Sequence, residues 1–176
     1  PRRNTRTAAV LRTGAGRSVR TRIKVCCVAS EAEAWLAIEL GADALGLVAA
    51  MPSGPGVIPE ARITAIAARV PPPVATFLLT SATRAADIIE QHARCRTTII
   101  QIVDRVTHST HAELRARLPG IGIVQVIHVT GPESIEEALA IAPHVNALLL
   151  DSGNPAARVK ELGGTGRLHD WTVSRS

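Results

Sequence analysis

Aromatic residues are nearly absent from this chain: they make up 2% of its 176 residues, with no Tyr and a single Phe. Proteins that read RNA or single-stranded bases stack them on aromatic side chains, so a base-stacking platform is excluded. No apolar run approaches the roughly 18 residues that a membrane helix needs, and the sequence therefore predicts no membrane partner. The hydrophobic fraction of 46%, against 20% charged residues, predicts one folded domain with a substantial core.

Cysteine is also scarce. The three cysteines, Cys26, Cys27 and Cys95, are odd in number and follow no zinc spacing. Adjacent Cys26 and Cys27 would form a strained pair if they were bridged to each other. The histidines are scattered without the spacing of metal ligands, so we expect no metal site. This pattern predicts a protein of a reducing, cytoplasmic compartment.

Acidic residues are missing from residues 1–22, which hold seven arginines of a chain whose net charge is +5. The remaining body has 13 basic and 15 acidic residues and is slightly acidic. We predict that residues 1–22 form a basic N-terminal extension without fixed structure. Such composition also occurs in transit peptides and nucleic-acid arms, but the acidic body favours no nucleic-acid partner.

From residue 23 onward, short apolar runs rich in β-branched residues alternate with helical patterns of about ten residues. The predicted strands are 23–28, 44–48, 74–79, 97–103, 123–129 and 147–150. Helix-start signals follow them at Ser30, Pro59, Thr83, Ser109 or Thr110, and Pro132. This α/β pattern fits either a doubly wound sheet or a (β/α)8 TIM barrel over residues 23–176, truncated after about six βα units. No Gly-x-Gly-x-x-Gly turn follows the first strand, which weighs against a dinucleotide-binding fold.

Polar residues at the ends of the predicted strands are candidates for chemistry, because a barrel places its active groups there. They are Cys26, Cys27, Gln101, Asp104, His128 and Asp151. A thiol and a carboxylate that face one another would form a general base and a general acid. Each also has a structural interpretation: the thiol as a small buried hydrophobe, Asp151 as a cap, and His128 as a hydrogen-bonded core residue.

Four separated motifs, in order along the chain, carry a resemblance to a known family. They are IKVC at 23–26, ELGADALG at 39–46, ALLLDS at 147–152, and LGGTG at 162–166 followed by DW at 170–171. Together they resemble phosphoribosylanthranilate isomerase, a (β/α)8 barrel enzyme of tryptophan biosynthesis. The resemblance implies a cofactor-free Amadori rearrangement of N-(5-phosphoribosyl)anthranilate, a phosphorylated small molecule, to 1-(2-carboxyphenylamino)-1-deoxyribulose 5-phosphate.

The resemblance also implies roles for particular residues. Cys26 matches the general base that removes the C2 proton, and Asp151 matches the general acid that helps to open the furanose ring. Gln101 matches a substrate-binding glutamine at the end of strand four. The glycines of the late loop, Gly163, Gly164 and Gly166, match the segment that closes over the substrate.

Several positions depart from the family pattern. Cys27 replaces a usual glycine, and Pro55 stands where the family has an arginine that meets the anthranilate end of the substrate. The family's Gln-x-His-Gly motif of strand four becomes QIVD at 101–104, so Val103 stands at the histidine position and Asp104 stands where a small residue is usual. The lysine expected on strand five is absent. The sequence also ends before strands seven and eight, whose loops build phosphate sites in such barrels.

Two hypotheses follow from these departures. The first is an isomerase whose activity is impaired in this fragment. The alternative is a barrel relative that has lost the reaction and binds another ligand or partner. The sequence does not indicate an oligomeric state.

Overall fold

Six parallel strands and the helices between them build the part of the chain that the computed structural model describes, residues 20–153 and 171–175. The strands are β1 (Lys24–Val25), β2 (Ala44–Val48), β3 (Ala75–Thr80), β4 (Ile99–Ile102), β5 (Gly122–His128) and β6 (Ala147–Asp151). The helices are α1 (Glu31–Glu39), α2 (Glu60–Ala67), α3 (Ala85–Cys95), α4 (His108–Arg117), α5 (Glu133–Ile141) and the short α6 (Trp171–Ser174). A 3₁₀ turn, Ala142–His144, follows α5.

The strand order distinguishes the two predicted architectures. Each strand pairs in parallel with the next along the chain, in the order β1-β2-β3-β4-β5-β6. A doubly wound sheet reverses its order at a switch point, whereas a barrel adds each strand to the same side. The described sheet is therefore six consecutive units of a (β/α)8 barrel, and the prediction of a barrel with about six units is confirmed.

The two faces of the sheet are both apolar because each is covered. On the outer face, residues such as Leu45, Leu78, Ile100 and Ile123 are fully buried in two clusters that include α1 to α5 residues. On the inner face, Val48, Leu79, Val103 and Val126 form a separate cluster. Strands buried on both faces read as continuous apolar runs, which is why their positions were predictable.

Some helix starts and strand ends differ from the predictions. Helix α4 begins after Thr107, not at Ser109 or Thr110, because the extended Thr107 accepts a hydrogen bond from the Thr110 N–H at 3.3 Å. Helix α3 begins after Arg84 rather than Thr83. Strand β1 ends at Val25 rather than at residue 28, because Cys27 takes a φ of 62°. Ser30 caps α1 as predicted, accepting from the Glu33 N–H at 3.2 Å.

The predicted N-terminal extension lies largely outside the described residues, which begin at Arg20. The Arg20 guanidinium pairs with the Asp43 carboxylate, which also accepts a hydrogen bond from the Ile23 N–H at 2.8 Å. This pairing raises the pKa of Arg20 and lowers that of Asp43. None of the described helices has the length and apolarity to cross a bilayer.

Candidate active site

A cavity of about 240 Å³ lies within the curled sheet, at the carboxyl ends of the strands. Its polar lining includes Cys26 just after β1, Gln101 on β4 and Asp151 on β6, together with Lys24 and Cys27. Its apolar walls include Val48, Leu79, Val103 and Leu149. The structure thus brings together the three described residues to which the family resemblance assigns roles, Cys26, Gln101 and Asp151.

The position of Cys26 depends on the glycine beside it. A Cβ atom at Gly46, on the neighbouring strand β2, would lie 2.6 Å from the Cys26 Sγ atom and 3.2 Å from its Cα atom. Any side chain at position 46 would therefore displace the thiol. The Cys26 residue is itself exposed, so a reactant in the cavity has access to the sulfur.

Cys27 is held in a conformation that suits glycine. Its φ of 62° lies in the left-handed region, and its Cβ atom would be 2.4 Å from a Cβ atom at Gly56. The Cys27 thiol lies 3.5 Å from the Pro55 carbonyl oxygen, in the loop after β2. Burial raises the pKa of this thiol, and the adjacent Cys26 raises it further. The backbone geometry explains why the family pattern has glycine here.

Asp151 ends β6 at the rim of the cavity. Its Oδ1 atom accepts a hydrogen bond from the Ser152 N–H at 2.8 Å, which orients the carboxylate. Its backbone pairs in register with His128 on β5. The carboxylate is partly buried and has access to the same space as the Cys26 thiol.

Lys24 also lines the cavity, although the sequence pattern did not predict a role for it. Its Nζ atom donates to the Gln101 Oε1 atom at 2.5 Å and lies 4.8 Å from the centroid of the Phe77 ring. Burial lowers the pKa of Lys24, while the negative charges of Cys26, Cys27 and Asp151 oppose that change. A signal was present, since Lys24 is the one charged residue within the first predicted strand.

Two other candidates at the strand ends lie outside the cavity lining. His128 is buried, and its Nε2–H donates to the Val103 carbonyl oxygen at 2.9 Å. Asp104 is buried as well, and its Oδ1 atom accepts from the Arg105 N–H at 2.8 Å. These contacts support the structural interpretation of His128. The predicted loop glycines, Gly163, Gly164 and Gly166, lie outside the described residues.

The departures from the family pattern make the cavity less charged. Pro55 lines it where the family has arginine, and Val103 lines it at the histidine position of the strand-four motif. Within residues 20–153 and 171–175, no three His, Cys, Asp or Glu side chains are grouped closely enough to hold a metal ion. A second cavity of about 260 Å³, between α5 and β6, has no ionisable side chain in its lining.

Comparisons with known proteins agree with this architecture. No family model matches the sequence. An N-(5'-phosphoribosyl)anthranilate isomerase of Trichormus variabilis is 30% identical over 152 residues, which cover 86% of this chain and 70% of the relative.

Solved structures show the same fold. A phosphoribosyl anthranilate isomerase of Thermotoga maritima superposes with a TM-score of 0.73 at 22% identity, over 88% of this chain and 70% of that one. Another, in complex with reduced 1-(o-carboxyphenylamino)-1-deoxyribulose 5-phosphate, gives a TM-score of 0.67 at 21% identity, over 75% of this chain and 65% of that one. With its barrel order and with this sequence identity over most of a relative, the chain belongs to the phosphoribosylanthranilate isomerase family.

Proposed function

We propose that this chain is an N-(5'-phosphoribosyl)anthranilate isomerase, an aldose-ketose isomerase of tryptophan biosynthesis that acts without a cofactor. The observation that carries the proposal is the shared cavity of the Cys26 thiol and the Asp151 carboxylate, in a member of this family. A solved relative binds the reduced form of the product of this reaction, which supports the same class of ligand here.

The proposed mechanism uses the two groups in sequence. Asp151 donates a proton to the furanose ring oxygen, and the C1–O bond breaks to leave an iminium between C1 and the anthranilate nitrogen. The Cys26 thiolate then removes the proton from C2, which is acidified by that iminium, and an enolamine forms. Return of a proton to C1 with formation of the C2 ketone completes the isomerisation. No atom is gained or lost overall.

The other predicted site residues have binding roles in this proposal. Gln101 contacts the substrate from the cavity wall, and Gly163, Gly164 and Gly166 also bind the substrate. Because Pro55 supplies no charge for the anthranilate end, substrate binding should be weaker than in relatives with arginine there. We expect this weakness as a raised KM.

A kinetic comparison of single variants tests the proposal. Synthetic N-(5-phosphoribosyl)anthranilate is incubated with the 176-residue chain, and its product isomer is separated by chromatography. Cys26→Ser and Asp151→Asn should each lower kcat by about 10²–10⁴-fold, the usual contribution of a positioned acid or base.

A matched thiol variant provides the control. Cys95 is fully buried, outside the cavity, and burial raises its pKa to about 11. Cys95→Ala should therefore keep wild-type turnover. If the Cys26→Ser variant kept most of the wild-type kcat, the mechanism would be contradicted. If the wild type turned over the substrate no faster than Asp151→Asn, the result would instead favour a barrel that has lost the reaction and binds another ligand.

A further inference from the structure

Lys24 has donor capacity that no acceptor among the described residues uses. Among the described residues that line the cavity, it is the only one with a cationic side chain. Its ammonium has three N–H donors, and one of them meets a protein acceptor, the Gln101 Oε1 atom at 2.5 Å. Two donors remain for a group that enters the cavity.

Among the described residues no carboxylate forms a salt bridge with Lys24, so its charge is not already neutralised by an ion pair. The charged or titratable groups that act on it are Cys26 and Cys27 on its own segment and Asp151 on β6, and Gln101 is neutral. The nearby walls are apolar, with Phe77 beneath the ammonium. A cation taken partly out of water, with one neutral hydrogen-bond partner, gains from a ligand that brings a negative charge.

The proposed substrate carries two anionic groups, the carboxylate of its anthranilate ring and a phosphate. A phosphate is normally held by several donors, commonly backbone N–H groups at a helix N-terminus, and one ammonium does not supply them. A benzoate group instead needs one cation and an apolar wall, which Lys24 supplies together with the lining residues Leu79 and Leu149. The position that would offer another cation, on the loop after β2, holds Pro55.

We propose that Lys24 binds the carboxylate of the anthranilate group and thereby holds the substrate against Cys26. This inference rests on the proposed function. Lys24 is then a binding and specificity residue, which takes the place of the arginine that Pro55 replaces.

The Cys26 thiol itself reports whether a cation attracts a carboxylate at this point. Iodoacetate and iodoacetamide alkylate a thiolate in the same way: a new S–C bond forms, the C–I bond breaks and iodide leaves. The first reagent carries a carboxylate and the second is neutral. In a Cys27→Gly background Cys26 is the remaining accessible thiol, since Cys95 is buried. The rate ratio of the two reagents therefore measures attraction of a carboxylate, independently of turnover.

We expect Lys24→Met to lower the iodoacetate-to-iodoacetamide ratio about 3–10-fold, the effect of one charge at short range in a partly hydrated site. Lys24→Arg should keep the ratio, because it keeps the charge. Arg22→Met is the matched control, since Arg22 is exposed and lies outside the cavity lining. A ratio that is the same in the parent and in Lys24→Met would overturn the inference.

A protection experiment identifies which anion Lys24 prefers. Anthranilate should slow the alkylation of Cys26 by iodoacetamide in the parent but not in Lys24→Met. Its neutral amide, anthranilamide, should give little protection. Protection by inorganic phosphate without protection by anthranilate would overturn the assignment to the carboxylate.

The two proposals fail separately, because alkylation requires no catalysis. A shifted ratio in a chain that turns over no substrate would reject the proposed function and retain the anion site. Normal turnover with an unshifted reagent ratio would support the proposed function and reject the anion site at Lys24.

Discussion

At the scale of single residues, Cys27 combines a side chain with a backbone conformation that favours glycine. Its φ of 62° costs an L-residue roughly 1–2 kcal/mol. Cys27→Gly should remove this strain and raise the free energy of unfolding by roughly 1 kcal/mol, after the greater freedom of glycine in the unfolded chain is subtracted. Urea unfolding measures the difference.

The control for this prediction is Cys27→Ala. Alanine loses the same Sγ contact with the Pro55 carbonyl but keeps the Cβ atom, and with it the strain. The glycine variant should therefore be more stable than the alanine variant. Equal stabilities would mean that the left-handed conformation costs nothing here.

At the scale of elements, features that depend on neighbouring residues in the sequence could be predicted, whereas contacts between distant residues could not. Continuous apolar runs located all six strands, and Ser30 located the start of α1. The family motifs predicted that Cys26 and Asp151 act at one site, and both residues line the same cavity. The contact between Lys24 and Gln101 spans 77 residues of sequence and exists only because the sheet curls, so no local pattern reported it.

The start of α4 shows the same limit within one short segment. Thr107, Ser109 and Thr110 are all acceptable caps by composition. The structure selects Thr107, whose hydroxyl accepts from the Thr110 N–H while its own backbone is extended. Because three residues of similar capping ability lie within four positions, the sequence alone does not show where the helix begins. The backbone conformation decides it.

Helix α4 is linked to β5 by a buried polar contact whose strength should depend on pH. His111 is fully buried, and its Nε2–H donates to the Gln125 Oε1 atom at 3.0 Å. Its Nδ1 atom has no hydrogen-bond partner among the described residues. Burial lowers the pKa of His111 from its ordinary value of 6.5, and the nearby His108 and His144 lower it further.

The sign of the pH effect follows from this shift. Below pH 6.5 the unfolded chain binds a proton at His111 more readily than the folded chain does, so stability falls as the pH falls, by at most about 1.4 kcal/mol per pH unit. His111→Gln should weaken that dependence. Urea unfolding at pH 7.5 and pH 5.5 checks it, and an equal loss of stability in both proteins would show that other groups cause the loss.

At the scale of the whole molecule, the described residues leave apolar side chains exposed at both edges of the sheet. Beside β1, the Leu40 side chain at the end of α1 is 79% exposed; beside β6, Leu139 on α5 is 69% exposed. Val25 on β1 and Leu150 on β6 are exposed as well. Unpaired strand edges next to apolar surface favour association between chains.

We therefore predict that the 176-residue chain self-associates in solution. Replacing Leu40 and Leu139 together with lysine should reduce this association, because charge at the edges opposes the burial of apolar surface. The matched control is Glu39→Gln with Glu136→Gln, which changes the net charge by the same amount at exposed polar positions beside the two leucines. Sedimentation equilibrium at low and high concentrations gives the mass. A wild-type mass that stays at 18.5 kDa throughout would contradict the prediction.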